Sequence, residues 1–418
     1  MNTRRFSVAL LVVVSISVSL VLAQRDHSVS AEAASKLVRR VLANSPVIDG
    51  HNDLLIHYFD CKACPLDLAD YPIDRPTKGH TDIARWRKGG VGGQLLNVFG
   101  GDQSAEGLMA AYDLVRRMES SYPNDIKIAG TSAEMRLAMK QGRIAILPTL
   151  EGATRLKGSP ALLRSYYRLG LRSVTFAYKT NDMADGSDDA PKHNGVSELG
   201  KNMIREMNRL GVIIDISHVS EKAMNDVLNL SQAPVIFSHS NARALTNVKR
   251  NVSDATLLKL KANGGVIMLT FVPYFTRLEH SKWLDTGDRV YEELSKLHGG
   301  DKEKMTPGMD KWEKENPEPS VTVADMADHF DHVKRIIGAD YIGVAGDFDG
   351  ISFTIKGLAD VSAYPTLLTE LARRGWTEAE LRKITSENFL RTFEAVEQKA
   401  KNLQQTTPPV VLRSPDKK

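Results

Sequence analysis

Cysteine is almost absent from this chain. Only Cys61 and Cys64 occur in 418 residues, so no disulfide framework can carry the fold, and a core must be built from apolar packing. The pair is spaced C-x-x-C and reads as a small local disulfide or a spare thiol pair. A thioredoxin-like role would need a strand-to-helix context, which CKACPLDLADYP lacks. An excess of charge is missing too. Without Arg4 and Arg5 of an N-terminal leader, 53 basic residues face 51 acidic ones, a formal charge of +2. Neither nucleic acid nor a membrane surface is indicated as a partner. The last stretch, 404–418, holds three prolines and no hydrophobic tail, so it reads as a disordered polar tail and not as a lipid-anchor signal.

Residues 1–23 stand apart from the rest. Two arginines precede an uncharged apolar run that ends on Val21-Leu22-Ala23, the pattern of a secretory signal peptide. A periplasmic or secreted protein is expected after cleavage, and membrane anchoring is not indicated unless that segment is retained. The remaining composition, 42% hydrophobic and 25% charged, is that of a soluble globular protein able to bury a sizeable core.

From residue 46 onward, short apolar runs alternate with amphipathic helical stretches. Strands are expected at 46–50, 90–99, 143–150, 173–178, from 211, from 233, at 265–271 and at 341–346. The chain between them carries helical spacing, as in 105–119 and 221–230. Eight β-to-α alternations predict an α/β fold, a single (β/α)8 TIM-like barrel over 24–403. A charged insertion at about 277–319 follows the seventh strand and reads as a partly helical excursion.

Five of the eight runs stop on residues that bind metals. His51 and Asp53 follow the first, Glu151 the third, His218 the fifth, His239 the sixth and Asp347 the eighth. His218 and His239 close the successive runs GVIIDISHVS and APVIFSHS, 21 residues apart. A right-handed βαβ unit would bring both to one sheet edge. Ring closure would bring all six residues to the carboxyl end of one barrel, where such folds place their chemistry. Three imidazoles and three carboxylates suit zinc or a similar divalent ion, and exceed what one catalytic zinc needs. Two ions are therefore expected, with Glu151 placed to bridge them. Such ions, about 3.5–4 Å apart, can share a hydroxide and polarise a carbonyl.

The residues also carry a resemblance. Ile48-Asp49-Gly50-His51-Asn52-Asp53, Val91-Gly92-Gly93-Gln94, Leu150-Glu151-Gly152, Asp215-Ile216-Ser217-His218, Phe237-Ser238-His239-Ser240 and Gly346-Asp347-Phe348-Asp349-Gly350 together resemble the membrane (renal) dipeptidase family of binuclear zinc metallopeptidases, a barrel of the metallo-dependent amidohydrolase type. The resemblance implies hydrolysis of small dipeptides by a hydroxide bridging two Zn2+ ions. His51 and Asp53 would hold one ion, His218 and His239 the other, and Glu151 both. It places Asp347 as the catalytic acid/base and Arg250 as the holder of the substrate's C-terminal carboxylate, with Tyr274 as a further substrate contact. Tyr178 stands where the mammalian enzyme carries a histidine that helps polarise the carbonyl; its phenol could bind substrate and donate one hydrogen bond to an oxyanion. Competing readings are a related amide hydrolase acting on β-lactams, D-residue peptides or acylated amino acids, and a non-catalytic binding protein that keeps the barrel. A homodimer is one possible assembly.

Overall fold

The computed structural model describes residues 30–60, 66–98 and 104–412. The leader 1–23, Cys61, Cys64 and residues 413–418 lie outside them. Nine parallel strands are present: β1 Val47–Asn52, β2 Val91–Asn97, β3 Ile126–Ile128, β4 Ile144–Leu150, β5 Ser173–Thr175, β6 Ile213–Asp215, β7 Ile236–Phe237, β8 Val266–Thr270 and β9 Ile342–Ala345. The order β2-β1-β9-β8-β7-β6-β5-β4 closes on itself through β2–β4 pairing, for example Gly93 with Ala145. The eight expected strands form this ring. The ninth, β3, pairs with Ile144–Ile146 at the lower half of β4, on the edge whose upper half, Thr149 and Leu150, pairs with the short β5.

Strands buried on both faces read as continuous apolar runs, and every residue of β1, β2, β4 and β8 is buried. Where the chain crowds the barrel interior, glycine is required. A Cβ on Gly50 would lie 2.3 Å from the Ser238 carbonyl oxygen and 2.8 Å from Met268 Sδ. Helices expected at 105–119 and 221–230 are found at Ala105–Ser121 and Glu221–Leu230, each capped by a serine side chain, Ser104 and Ser220.

β5, β6 and β7 are shorter than their apolar runs, because side chains take over the hydrogen bonding at their carboxyl ends. Asp215 Oδ1 accepts the N–H groups of Ser217 (3.0 Å) and Ser238 (2.9 Å). Ser217 Oγ accepts that of His239 (3.1 Å), and the Asn241 amide pairs with both backbone groups of Thr270 (2.9 Å each). Backbone groups freed from the ladder are thereby satisfied in the buried rim, and that rim carries the polar site.

The 277–319 insertion is a helical hairpin, Leu278–His298 and Lys302–Glu315, turned by Gly299 and Gly300, both at positive φ. Trp283 packs on Trp312 at 5.3 Å between ring centroids. The polar tail differs from expectation. The last helix, Asn388–Thr406, runs into it, and Val410 is tied down through its N–H to Glu206 Oε2 (3.0 Å) and its carbonyl to Arg164 Nη1 (3.0 Å). The cause is Glu206, wholly buried, which needs these donors and Arg209 beside it (2.8 Å) to offset its desolvation. No helix among the described residues is long and apolar enough to cross a membrane.

His329, on the helix Val323–Ile337 away from the strand ends, is wholly buried. Its Nδ1 accepts the Ala242 N–H (3.1 Å) and its Nε2 donates to the Thr276 carbonyl (3.0 Å), an arrangement only the neutral ring can make. Burial holds its pKa down at about 4, against about 6.5 in an unfolded chain. Below pH 6.5 the unfolded state therefore binds a proton that the native state refuses, so stability is lost as pH falls from about 6.5 to 4, by up to about 3 kcal/mol. His329→Gln can make both hydrogen bonds without titrating. Urea unfolding across that range should show a flatter pH slope for the variant than for the parent.

Candidate metal centre

The carboxyl end of the ring gathers all six strand-end residues. His51 Nε2 lies 3.2 Å from Asp53 Oδ2, 3.8 Å from Glu151 Oε1 and 4.0 Å from Asp347 Oδ1. Glu151 Oε1 lies 2.9 Å from His218 Nε2 and 3.4 Å from His239 Nε2, and those two nitrogens are 2.8 Å apart. One carboxylate oxygen thus faces three imidazole nitrogens. Two overlapping groups have the compactness of a metal site, His51–Glu151–His239 and His51–Asp53–Asp347.

The donor spacing fits metal ligation. Donors bound at about 2.0–2.1 Å on a tetrahedral ion stand roughly 3.3 Å from each other, and the separations of 2.8 to 3.4 Å within His218, His239 and Glu151 bracket that value. The set is also of the right chemistry, neutral nitrogen and anionic oxygen, in a largely buried site.

Local backbone conformation aims two of these side chains. His218 and Asp347 have positive φ, +66° and +57°, a left-handed conformation that costs a non-glycine residue about 1–3 kcal/mol and tends to be kept where function needs it. The His218 carbonyl accepts from Ser187 N–H (2.7 Å), and the Asp347 carbonyl from Gly350 N–H (3.3 Å). Gly350 is itself required, since a Cβ there would lie 2.1 Å from Asp53 Oδ2.

A second layer of side chains orients the first. Asn97 Nδ2 donates to Asp53 Oδ1 (2.8 Å) and Glu151 Oε2 (3.3 Å), while its Oδ1 accepts the Glu151 N–H (3.0 Å). His239 Nδ1 contacts Ser238 Oγ (2.7 Å), whose hydroxyl also reaches Asp215 Oδ2 (2.6 Å), so the ring's Nε2 is directed inward. Asp49 Oδ1 accepts the N–H groups of His51 (3.3 Å) and Gly346 (2.7 Å), joining the ends of β1 and β9. Asp349, wholly buried on its side chain, accepts from His80 N–H (2.7 Å) and meets His57 Nε2 (2.9 Å). Sequence reasoning singled out none of these supports. An acidic residue two or three positions before two of the three ligand histidines, Asp49 before His51 and Asp215 before His218, was the available signal.

Electrostatics follow from burial and crowding. Burial holds His218 below the usual imidazole range and His239 well below it. His51 is also pulled down by burial, but the Asp53 and Glu151 carboxylates more than offset this and raise it well above. Burial would raise Glu151, yet the three imidazoles hold it well below the ordinary carboxylate range. Asp347 is pushed up to about 7, first by burial and then by Asp53 and Glu151.

The other expected site residues line one cavity of about 820 Å³ that opens from His218. Tyr178, 49% exposed, places its ring 4.5 Å from that of His218. Arg250 is buried, donating to the His239 carbonyl (3.3 Å) and Ser240 Oγ (3.3 Å), with its guanidinium 4.9 Å from the centre of the Phe275 ring. Among the described residues no carboxylate lies within ion-pair distance of it. Tyr274 shares the cavity wall, its ring 4.7 Å from that of Phe275.

Comparison with known proteins gives a consistent result. A family model described as membrane dipeptidase, peptidase family M19, matches residues 35–407. The dipeptidase verJ of Clonostachys rogersoniana is 33% identical over 384 residues, spanning 88% of each chain. Among solved structures, the probable dipeptidase PvdM from Pseudomonas aeruginosa superposes with a TM-score of 0.75 at 25% identity, covering 88% of this chain and 100% of its own. The dipeptidase AC, a metallo peptidase of family M19, does so with a TM-score of 0.69 at 25% identity, covering 84% and 99%.

Proposed function

Because the chain belongs to the membrane dipeptidase family, peptidase family M19, and is a dipeptidase of a metallopeptidase kind, we propose that it hydrolyses dipeptides at a two-zinc centre. His51 and Asp53 would hold one ion, His218 and His239 the other, with Glu151 shared. The observation that carries this reading is the single Glu151 oxygen facing the Nε2 atoms of His51, His218 and His239 at 3.8, 2.9 and 3.4 Å. Zinc held there would acidify a shared water and polarise the scissile carbonyl.

The protein's own groups supply the rest. Asp347, whose Oδ1 lies 4.0 Å from His51 Nε2 at the edge of the ligand cluster, is placed to take a proton from the attacking water and return it to the leaving amine. Tyr178 donates its phenol hydrogen toward the carbonyl oxygen as that oxygen becomes negative. Arg250 receives the C-terminal carboxylate, a contact suited to a planar guanidinium. Its hydrogen bond to the carbonyl of His239, itself a proposed ligand, keeps that carboxylate close to the reacting bond and so favours substrates of two residues. Tyr274 closes the same side. The N-terminal run 1–23 supports export before the enzyme acts.

A panel of dipeptides with L- or D-residues at the C-terminus tests the assignment. With zinc supplied, free dipeptides should be turned over, and amidating the C-terminus should lower kcat/KM by about 10- to 100-fold, the worth of a charge-assisted contact. No turnover of any free dipeptide would refute the proposal.

A further inference from the structure

The cavity is long. Its volume of about 820 Å³ lies toward the upper end of the roughly 300–1,000 Å³ typical of small-molecule sites, more room than two small residues require. His218, Arg250, Tyr274 and Phe275 line it together with the helix Leu278–His298 of the insertion. That helix offers Leu278, Ser281, Lys282 and Asp285 to the cavity, positions i, i+3, i+4 and i+7, which form one continuous stripe on a helix. Leu284 flanks the stripe. Ser281 is buried and Leu278 and Leu284 are partly so, whereas Lys282 and Asp285 are exposed at the mouth.

The helix is fixed to the barrel. His280, wholly buried, packs between Trp283 and Phe353 at 5.4 and 5.5 Å between ring centres, and its Nε2 lies 3.0 Å from Glu318 Oε1. Trp283 donates its indole N–H to the Asn316 carbonyl (2.7 Å). The wall is therefore a rigid surface whose shape can select.

We propose that this insertion helix forms the pocket for the side chain of the substrate's C-terminal residue, and that the pocket favours a large apolar side chain, aromatic or branched aliphatic. The inference rests on the dipeptidase reading above. With the carboxylate on Arg250, the Cα next to it lies by Phe275, whose ring stands under the guanidinium. The side chain leaving that Cα has Tyr274, Phe275, Leu278 and Leu284 to cover it and Ser281 at its floor. Burying a large apolar group there is favourable; apart from Arg250, the charged lining residues Lys179, Asp188, Lys249, Lys282 and Asp285 are exposed and Asp189 is partly so.

The test is a ratio of kcat/KM values measured on one enzyme sample, so that partial misfolding cancels. For the parent, Ala-Phe and Ala-Leu should exceed Ala-Gly by about 10-fold or more, since each methylene in such a pocket contributes strongly. Ser281→Phe, which fills the floor, should cut that ratio by about 10-fold or more, and Leu278→Ala, which thins the wall, by at least about threefold. The same substitutions should leave the ratio of Phe-Ala to Gly-Ala within about twofold, because that side chain lies on the metal side of the scissile bond. Turnover of dipeptides with the Ala-Phe to Ala-Gly ratio unmoved in both variants, or with the shift confined to the first residue, overturns the pocket while leaving the dipeptidase assignment standing. No turnover of any dipeptide overturns both.

Discussion

Glu151→Gln should abolish dipeptide hydrolysis, lowering kcat/KM by about 10³-fold or more, roughly 4 kcal/mol or more of lost transition-state stabilisation. The purified variant should also hold fewer than two zinc ions per chain. The substitution is nearly isosteric and keeps one oxygen in place, so packing against Asn97, which accepts the residue-151 N–H at 3.0 Å, is preserved. What is lost is the anionic oxygen that lies within 3.8 Å of three imidazole nitrogens. Buried imidazoles cannot satisfy a divalent charge as well without it, and His218 and His239 would be left with lone pairs directed at a neutral amide. Metal analysis together with turnover decides the matter: two zinc ions per chain and activity within tenfold of the parent would mean that Glu151 does not bridge.

Asp347→Asn separates proton transfer from metal binding. Asparagine keeps the size of the side chain and adopts the left-handed backbone at φ +57° as readily as aspartate, so the fold should survive. An amide cannot carry a proton between water and amine, and kcat should fall by about 10²–10⁴-fold, the usual worth of a positioned acid/base. Because Arg250, the proposed holder of the carboxylate, is untouched, KM should change much less. The grouping of Asp347 with His51 and Asp53 makes zinc content the critical control. If metal is lost in proportion to activity, Asp347 is a ligand and the proton carrier lies elsewhere.

Much of the site could be read along the chain because a parallel barrel imposes a simple grammar. Strands buried on both sides must be apolar, and the first polar residues after them emerge at one end of the ring. His51, Glu151, His239 and Asp347 announced themselves as breaks in otherwise apolar runs. β3 did not, since Ile126-Lys127-Ile128 is three residues long and makes sense only as a filler below β5. Nor did Asn97, which ends a buried strand like any other polar residue until Asp53 and Glu151 are placed around it. The docked tail escaped for a similar reason: Thr407 to Val410 is locally polar and proline-rich, and only the buried Glu206, about two hundred residues earlier, explains why it binds.

Composition, periodicity and the residues closing each apolar run determined the class of fold and the end of the barrel at which the six candidate ligands gather. These are local properties, set by burial on either side of a strand and by the side chain that follows it. The tertiary structure alone decided which oxygen faces which nitrogen, that His218 and Asp347 are held in left-handed conformations, that Asp215 and Ser238 aim His239, and that an inserted helix closes the far wall of the cavity. Each of these depends on atoms brought together from distant parts of the chain, and distances of 3 Å between such atoms are fixed by how the whole barrel packs.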